Sequence, residues 1–169
     1  KRFNRSEDRI LEGQHNLKDK QAVMIGAGAL GNFAGLDLVL NNIGHLHIMD
    51  NDDVEDTNLN RQVLFYDAVG KPKAQALAEK LMKINPRVEV SFAIERVNPI
   101  SQAFFDVAPI DLLIDTVDNN KTRALLNYFA LSNNIPFISA GTNYKGGQAI
   151  VYKQGETACL NCQASIDRL

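Results

Sequence analysis

No stretch of this 169-residue sequence stays apolar long enough to cross a bilayer as a helix, and no charged-then-apolar leader opens it. Membrane-spanning and signal-bearing classes are set aside, and a cytoplasmic protein with no membrane partner is expected. Extended basic blocks are missing too. Lys and Arg number 18 against 20 Asp and Glu, a net charge of -2. That balance speaks against holding nucleic acid by clustered cations, which neutralise phosphates. A small anionic ligand, which needs only a few placed cations, stays open. There are no internal repeats and no low-complexity tract. Cysteine is scarce: Cys159 and Cys162, a single C-x-x-C, are all there is. Without a secretory leader the pair reads as a metal or redox motif before a structural disulfide. It matches the spacing of half a tetrahedral zinc site. The histidines, His15, His45 and His47, lie far off in sequence and read as surface or strand residues.

What is present is ordinary in bulk, with 45% hydrophobic and 22% charged residues, enough for one domain with a sizeable core. Its order is informative. A polar helix is expected over 2–13. The apolar run 21–25 leads straight into Gly26-Ala-Gly-Ala-Leu-Gly31, then a helix to about Asn41 with Gly44 as its stop. A strand follows over 45–49, ending in Asp50, and 51–70 is polar and irregular. Apolar residues Ala74, Leu77, Ala78 and Leu81 predict a helix over 72–84, with Pro72 in its first turn. Strands are expected over 88–94, 112–114, 136–140 and 148–152, with a helix over 120–132. Strands alternating with helices predict an α/β, Rossmann-like doubly wound sheet, mostly parallel, with helices on both faces. Ligands of such sheets gather beyond the carboxyl ends of the strands, where the glycine loop, Asp50 and 115–118 all lie.

Gly26-x-Gly28-x-x-Gly31 sits between a strand and a helix, the context that a dinucleotide fingerprint requires. Glycines allow close approach of backbone to phosphate, and a helix N-terminus presents free N–H groups to an anion. Asp50 can accept hydrogen bonds from a ribose. A nicotinamide-dependent oxidoreductase is the default for that pattern. However, Asn58, Arg61 and Gln62, followed by Lys73 at a helix start, put more cations beside the phosphates than hydride transfer needs. Expulsion of pyrophosphate does need them, because negative charge builds on the transferred phosphorus oxygens and the leaving group.

At this point the chain resembles a known family. Gly26–Gly31, Asp50-x-Asp52, Asn58-Leu-Asn-Arg-Gln62, Gly70-x-Pro-Lys73, Ile84-Asn-Pro86 and Asp115-Thr-Val-Asp-Asn119 look like the motifs of the ThiF/MoeB/HesA adenylyltransferases. These share their adenylation domain with ubiquitin-activating enzymes. The resemblance implies one adenylation domain over 1–169, cut short after its first C-x-x-C. It implies ATP and Mg²⁺ as ligands, with Zn²⁺ if a second C-x-x-C completes the site of Cys159 and Cys162. Gly26, Gly28 and Ala29 would line the phosphate turn, and Asp50 and Asp52 would sit at the ribose end. Asn58, Arg61 and Lys73 would contact the triphosphate, with Arg61 and Lys73 stabilising the transition state, and Gln62 would be a further nucleotide-binding residue. Asp118 would bind Mg²⁺, with Asn119 supporting its loop. Arg5, in Phe3-Asn-Arg5, would reach the ATP of a partner subunit, so a homodimer is implied. The acceptor would be a small ubiquitin-like (β-grasp) or sulfur-carrier protein, or a peptide, with a free C-terminus. The alternatives are the oxidoreductase and a non-catalytic half of a heterodimeric activator. An acid such as Asp118 just before a helix also reads as an N-cap.

Overall fold

The computed structural model describes residues 17–98 and 109–163. The expected helix over 2–13, with Arg5, lies outside them. The centre of the fold is β1 (Gln21–Ile25), whose residues from Ala22 to Ile25 are all buried. Side chains of a strand alternate between faces, so such a run needs cover on both sides. Ala22 and Met24 enter one core, and Val23 and Ile25 enter another.

Around β1 lie β2 (His45–Met49), β3 (Glu89–Ala93), β4 (Leu112–Asp115), β5 (Phe137–Asn143) and β6 (Gly146–Tyr152), in the order β3-β2-β1-β4-β5-β6. Every pairing is parallel except β5 with β6, a hairpin. One face carries α1 (Ala29–Leu40) and α2 (Lys73–Ile84), and the other carries α3 (Asn120–Asn133). The expected doubly wound α/β architecture is therefore the one observed. A short α4 (Leu160–Gln163) follows the hairpin.

α2 forms because Ala74, Leu77, Ala78 and Leu81 fall on one stripe, and all are buried. Pro72 stands just before its first helical residue, where its missing N–H costs nothing. α1 instead presents Gly35 to the core. A Cβ there would come within 3.0 Å of Leu81 Cδ1 and 3.3 Å of Met24 Cε, so helix, helix and sheet touch closely. The end of α1 differs from expectation. The left-handed residue after it is Asn42 at φ 59°, whose side-chain oxygen accepts from Asn85 Nδ2 at 3.1 Å. Gly44 serves crowding: a Cβ would fall 2.1 Å from the Lys18 carbonyl oxygen. The first five strands point the same way, and the chain leaves β1 toward β2 but returns on its other side as β4. The carboxyl ends of β1 and β4 thus flank a topological switch point, where a crevice opens.

Leu81 is fully buried. Leu81→Ala is expected to lower stability by about 2–5 kcal/mol in urea unfolding. A loss near zero would mean that α2 does not depend on this contact.

Candidate functional site

The turn after β1 is built by contacts inside the protein and by space left open. Gly26 has φ 98°, and a Cβ on it would lie 2.9 Å from the Thr116 carbonyl oxygen. At Gly31 a Cβ would strike the Gly26 carbonyl at 2.2 Å. These two glycines are required by the fold. Gly28 is different: a Cβ there would meet only Gln62 Nε2, at 3.9 Å, so its bareness leaves room on the cleft side. Gly28 is also the N-cap of α1, with no side chain capping the helix and no acid in its first turn. The positive end of α1 is left for an anion.

Asp50 ties this turn to the polar segment that follows β2. The Ala27 amide donates to its Oδ2 at 2.7 Å, and the Asp52 amide donates to its Oδ1 at 2.8 Å. Burial pushes the carboxyl above its usual range, although both amides and the Lys73 charge pull the other way. Lys73 is buried, and its Nζ pairs with Asp52 Oδ2 at 3.0 Å. The Lys73 amide donates to the Asp52 carbonyl at 2.8 Å. Arg61 is folded against its own loop, donating to the Thr57 carbonyl at 3.2 Å and Asn60 Oδ1 at 2.9 Å. Asn58 is buried, and its side-chain oxygen accepts from the Glu55 amide in a capping box. Gln62 is buried with Oε1 unpartnered among the described residues.

A third wall comes from the segment after β4. Thr116 Oγ1 donates to the Ile25 and Gly26 carbonyls at 3.0 and 2.7 Å, locking it to the glycine turn. Asn119 caps α3, accepting from the Thr122 amide at 2.9 Å. The cap expected at Asp118 is therefore supplied by its neighbour, and the Asp118 carboxylate stands exposed.

Gly26, Gly28, Ala29, Asp50, Asp52, Asn58, Arg61, Gln62, Lys73, Asp118 and Asn119 all line one cleft of about 1270 Å³. That exceeds the ~300–1,000 Å³ of ordinary small-ligand pockets, and the cleft is open to solvent on one side. Two residues that sequence reasoning passed over, Asn32 and Arg123, help to shape it, together with Asp115 of the 115–119 motif. Asn32, wholly buried, donates to the Ala27 and Gly28 carbonyls at 3.0 Å each and accepts from the Leu64 amide at 3.0 Å. It joins the glycine turn to the loop after Arg61. Asp115 and Arg123 sit beneath the Asp118 loop, and burial raises the Asp115 carboxyl. The signal in the sequence was an acid closing an apolar strand.

A nucleoside triphosphate fits this set of groups: an uncapped helix end, open space over Gly28, and the cations Arg61 and Lys73 for its phosphates, with the unpartnered Gln62 oxygen able to accept from an N–H or O–H of the nucleoside. Mg²⁺ fits as well, since it binds through one or two carboxylates plus phosphate oxygens, and Asp118 offers one. Cys159 and Cys162 lie apart from this cleft, their sulfurs 3.5 Å from each other. Burial pushes the Cys159 thiol up, but hydrogen bonds from Cys162 outweigh it and hold the thiol below its usual range. Among the described residues no three His, Cys, Asp or Glu side chains are grouped to hold a metal. His45 and His47 both bond Ser91 Oγ at 2.7 Å, as strand residues.

The raised Asp50 titration has a consequence for stability. Between its unfolded value near 3.9 and its higher folded value, the native state holds more protons than the unfolded state. Stability then falls as pH rises through that window and is flat with respect to this group above it. Urea unfolding of wild type and Asp50→Asn from pH 4 to 7 should show a stability difference that changes across this window. Parallel curves would contradict the assignment.

The sequence matches the ThiF family over residues 5–168. It is 36% identical over 160 residues to the sulfur carrier protein ThiS adenylyltransferase of Escherichia coli (strain K12), a match covering 91% of this chain and 63% of that protein. It is 35% identical over 152 residues to the adenylyltransferase and sulfurtransferase UBA4 of Yarrowia lipolytica, covering 90% of this chain and 38% of that one. The fold is similar to the crystal structure of E. coli MccB with ATP, with a TM-score of 0.78 and 32% identity over 90% of this chain and 47% of MccB. The chain thus spans less than two thirds of the length of these relatives. No helix among the described residues is long and apolar enough to cross a membrane. On its match across nearly the whole sequence, the chain belongs to the ThiF family.

Proposed function

We propose that residues 1–169 form the adenylation domain of an ATP-dependent adenylyltransferase. Its acceptor is the C-terminal carboxylate of a small ubiquitin-like or sulfur-carrier protein, or of a peptide. The observation that carries this is the convergence of an uncapped helix N-terminus, Asp50, Arg61, Lys73 and Asp118 on a single cleft. The names of the relatives point the same way: two are adenylyltransferases, and MccB was crystallised with ATP.

In this mechanism the acceptor carboxylate, already ionised at neutral pH, attacks the α-phosphorus, pyrophosphate leaves, and an acyl-adenylate forms. No side-chain nucleophile is needed. Asp50 holds the ribose, and the Gly26–Ala29 turn takes the phosphates on backbone N–H groups. Lys73 offers a compact charge held at the cleft by Asp52. Arg61, released from its loop carbonyl, offers a fork of donors to the leaving group. Mg²⁺, when bound, supplies further neutralisation of phosphate charge, and Asp118 would hold it. Catalysis is then positioning and electrostatics. Arg5 acts across a homodimer, completing the partner's site. Cys159 and Cys162 supply two ligands of a four-coordinate zinc site, a structural role separate from catalysis. The protein works in the cytoplasm, and the step assigned to residues 1–169 is adenylation.

ATP–pyrophosphate exchange against a panel of sulfur-carrier proteins and free-C-terminal peptides tests this. Exchange is expected with one of them, and Arg61→Ala should lower it by about 10²–10³-fold, the scale of removing one transition-state donor. Undiminished exchange in that variant would overturn the role given to Arg61.

A further inference from the structure

Asp118 is presented to the cleft by neighbours that are each bonded away from it. On its N-terminal side, the Val117 amide donates to Asp115 Oδ1 at 3.0 Å, and the Val117 carbonyl accepts from Arg123 Nη2 at 2.6 Å. Thr116 is bonded to the glycine turn. On its C-terminal side, Asn119 is held as the cap of α3. Asp118, exposed between them, is left facing the cleft.

The part that closes this arrangement is Arg123, buried on α3. Its Nη2 bridges a loop and a strand, reaching the Val117 carbonyl and, at 3.1 Å, the Ala140 carbonyl in the middle of β5. Its Nε stands 3.4 Å from Asp115 Oδ2, an oxygen that also accepts from Ser139 Oγ at 2.6 Å. Gly141 makes room for the guanidinium, since a Cβ would fall 2.8 Å from Nη1. A buried ion pair is a poor way to gain stability alone, because apolar residues of equal size often do as well. What apolar residues cannot do is hold two carbonyl groups together. Lysine keeps the charge but offers a point rather than a planar fork.

We infer that Arg123 is a positioning residue: by pinning the Val117 carbonyl to the middle of β5, it fixes the direction in which Asp118 offers its carboxylate to a nucleotide-bound Mg²⁺. This rests on the cleft being an ATP site and deepens that reading. It also joins the metal loop to the β5–β6 hairpin, so the two cleft walls move as one body.

Calorimetric titration of ATP into the full chain, in EDTA and at graded Mg²⁺, separates the possibilities. Arg123→Lys should bind ATP in EDTA as wild type does, yet need about 10–100-fold more Mg²⁺ for the half-maximal gain in affinity, the usual cost of loosening a ligand's support. Gly141→Ala, which displaces the guanidinium without removing it, should shift the Mg²⁺ midpoint the same way. Adding Asp118→Asn to Arg123→Lys should change the midpoint no further than Asp118→Asn alone. In the nucleotide-free and metal-free protein, hydrogen–deuterium exchange should quicken across 115–119 in Arg123→Lys and stay unchanged in β1 and α2. An unmoved midpoint, or equal losses of ATP affinity with and without Mg²⁺, overturns the inference alone. A wild-type chain that takes no ATP under either condition overturns the nucleotide reading together with it.

Discussion

One carboxylate held by two backbone amides organises this site. Asp50 accepts from Ala27 in the glycine turn and from Asp52 in the polar segment beyond β2. Each charge-assisted bond of this kind is worth about 1.5–3 kcal/mol, which offsets part of the cost of burying the acid; burial still wins, and the carboxyl stays above its usual range. The consequence is geometric. The turn that faces the phosphates and the segment that carries Lys73 cannot drift apart, because both hang on the same side chain. Asn32 repeats the device from the helix side, tying the turn to the loop that follows Arg61.

The cations are restrained in different ways, and the difference suits their proposed tasks. Lys73 is nearly buried and already faces a carboxylate, so little ordering is needed when an anion arrives. Arg61 is held by weak, exposed contacts to its own loop, which it can exchange for a phosphate at small cost. Arg123 is buried, and its Nη2 is engaged with the carbonyls of Val117 and Ala140. These three of the positive charges around the cleft thus divide into a fixed partner, a mobile one and an internal brace.

Most of the fold was legible in the sequence because apolar runs and glycines mark it locally. β1 and β4 read as buried strands, and α2 read from its 3.6-residue stripe, since those signals depend on near neighbours. The stop of α1 was misplaced because Asn and Gly both tolerate positive φ, and only the tertiary contact with Asn85 shows that Asn42 takes the turn. The residues lining the cleft were legible as motifs. The braces Asn32 and Arg123 were not, because each works through partners such as Leu64 or Ala140 that are distant in sequence, and Asp115 was legible in its motif but its pairing with Arg123 was not. For Cys159 and Cys162 the spacing carried the same alternatives that the geometry does.

The central claim is that the charges beyond β2 serve a triphosphate and not a redox dinucleotide. Equilibrium dialysis of the chain against labelled ATP with Mg²⁺, with NAD as competitor, tests it most directly. The account predicts that ATP is retained and that excess NAD does not displace it. Retention of NAD with ATP left in free exchange would contradict it.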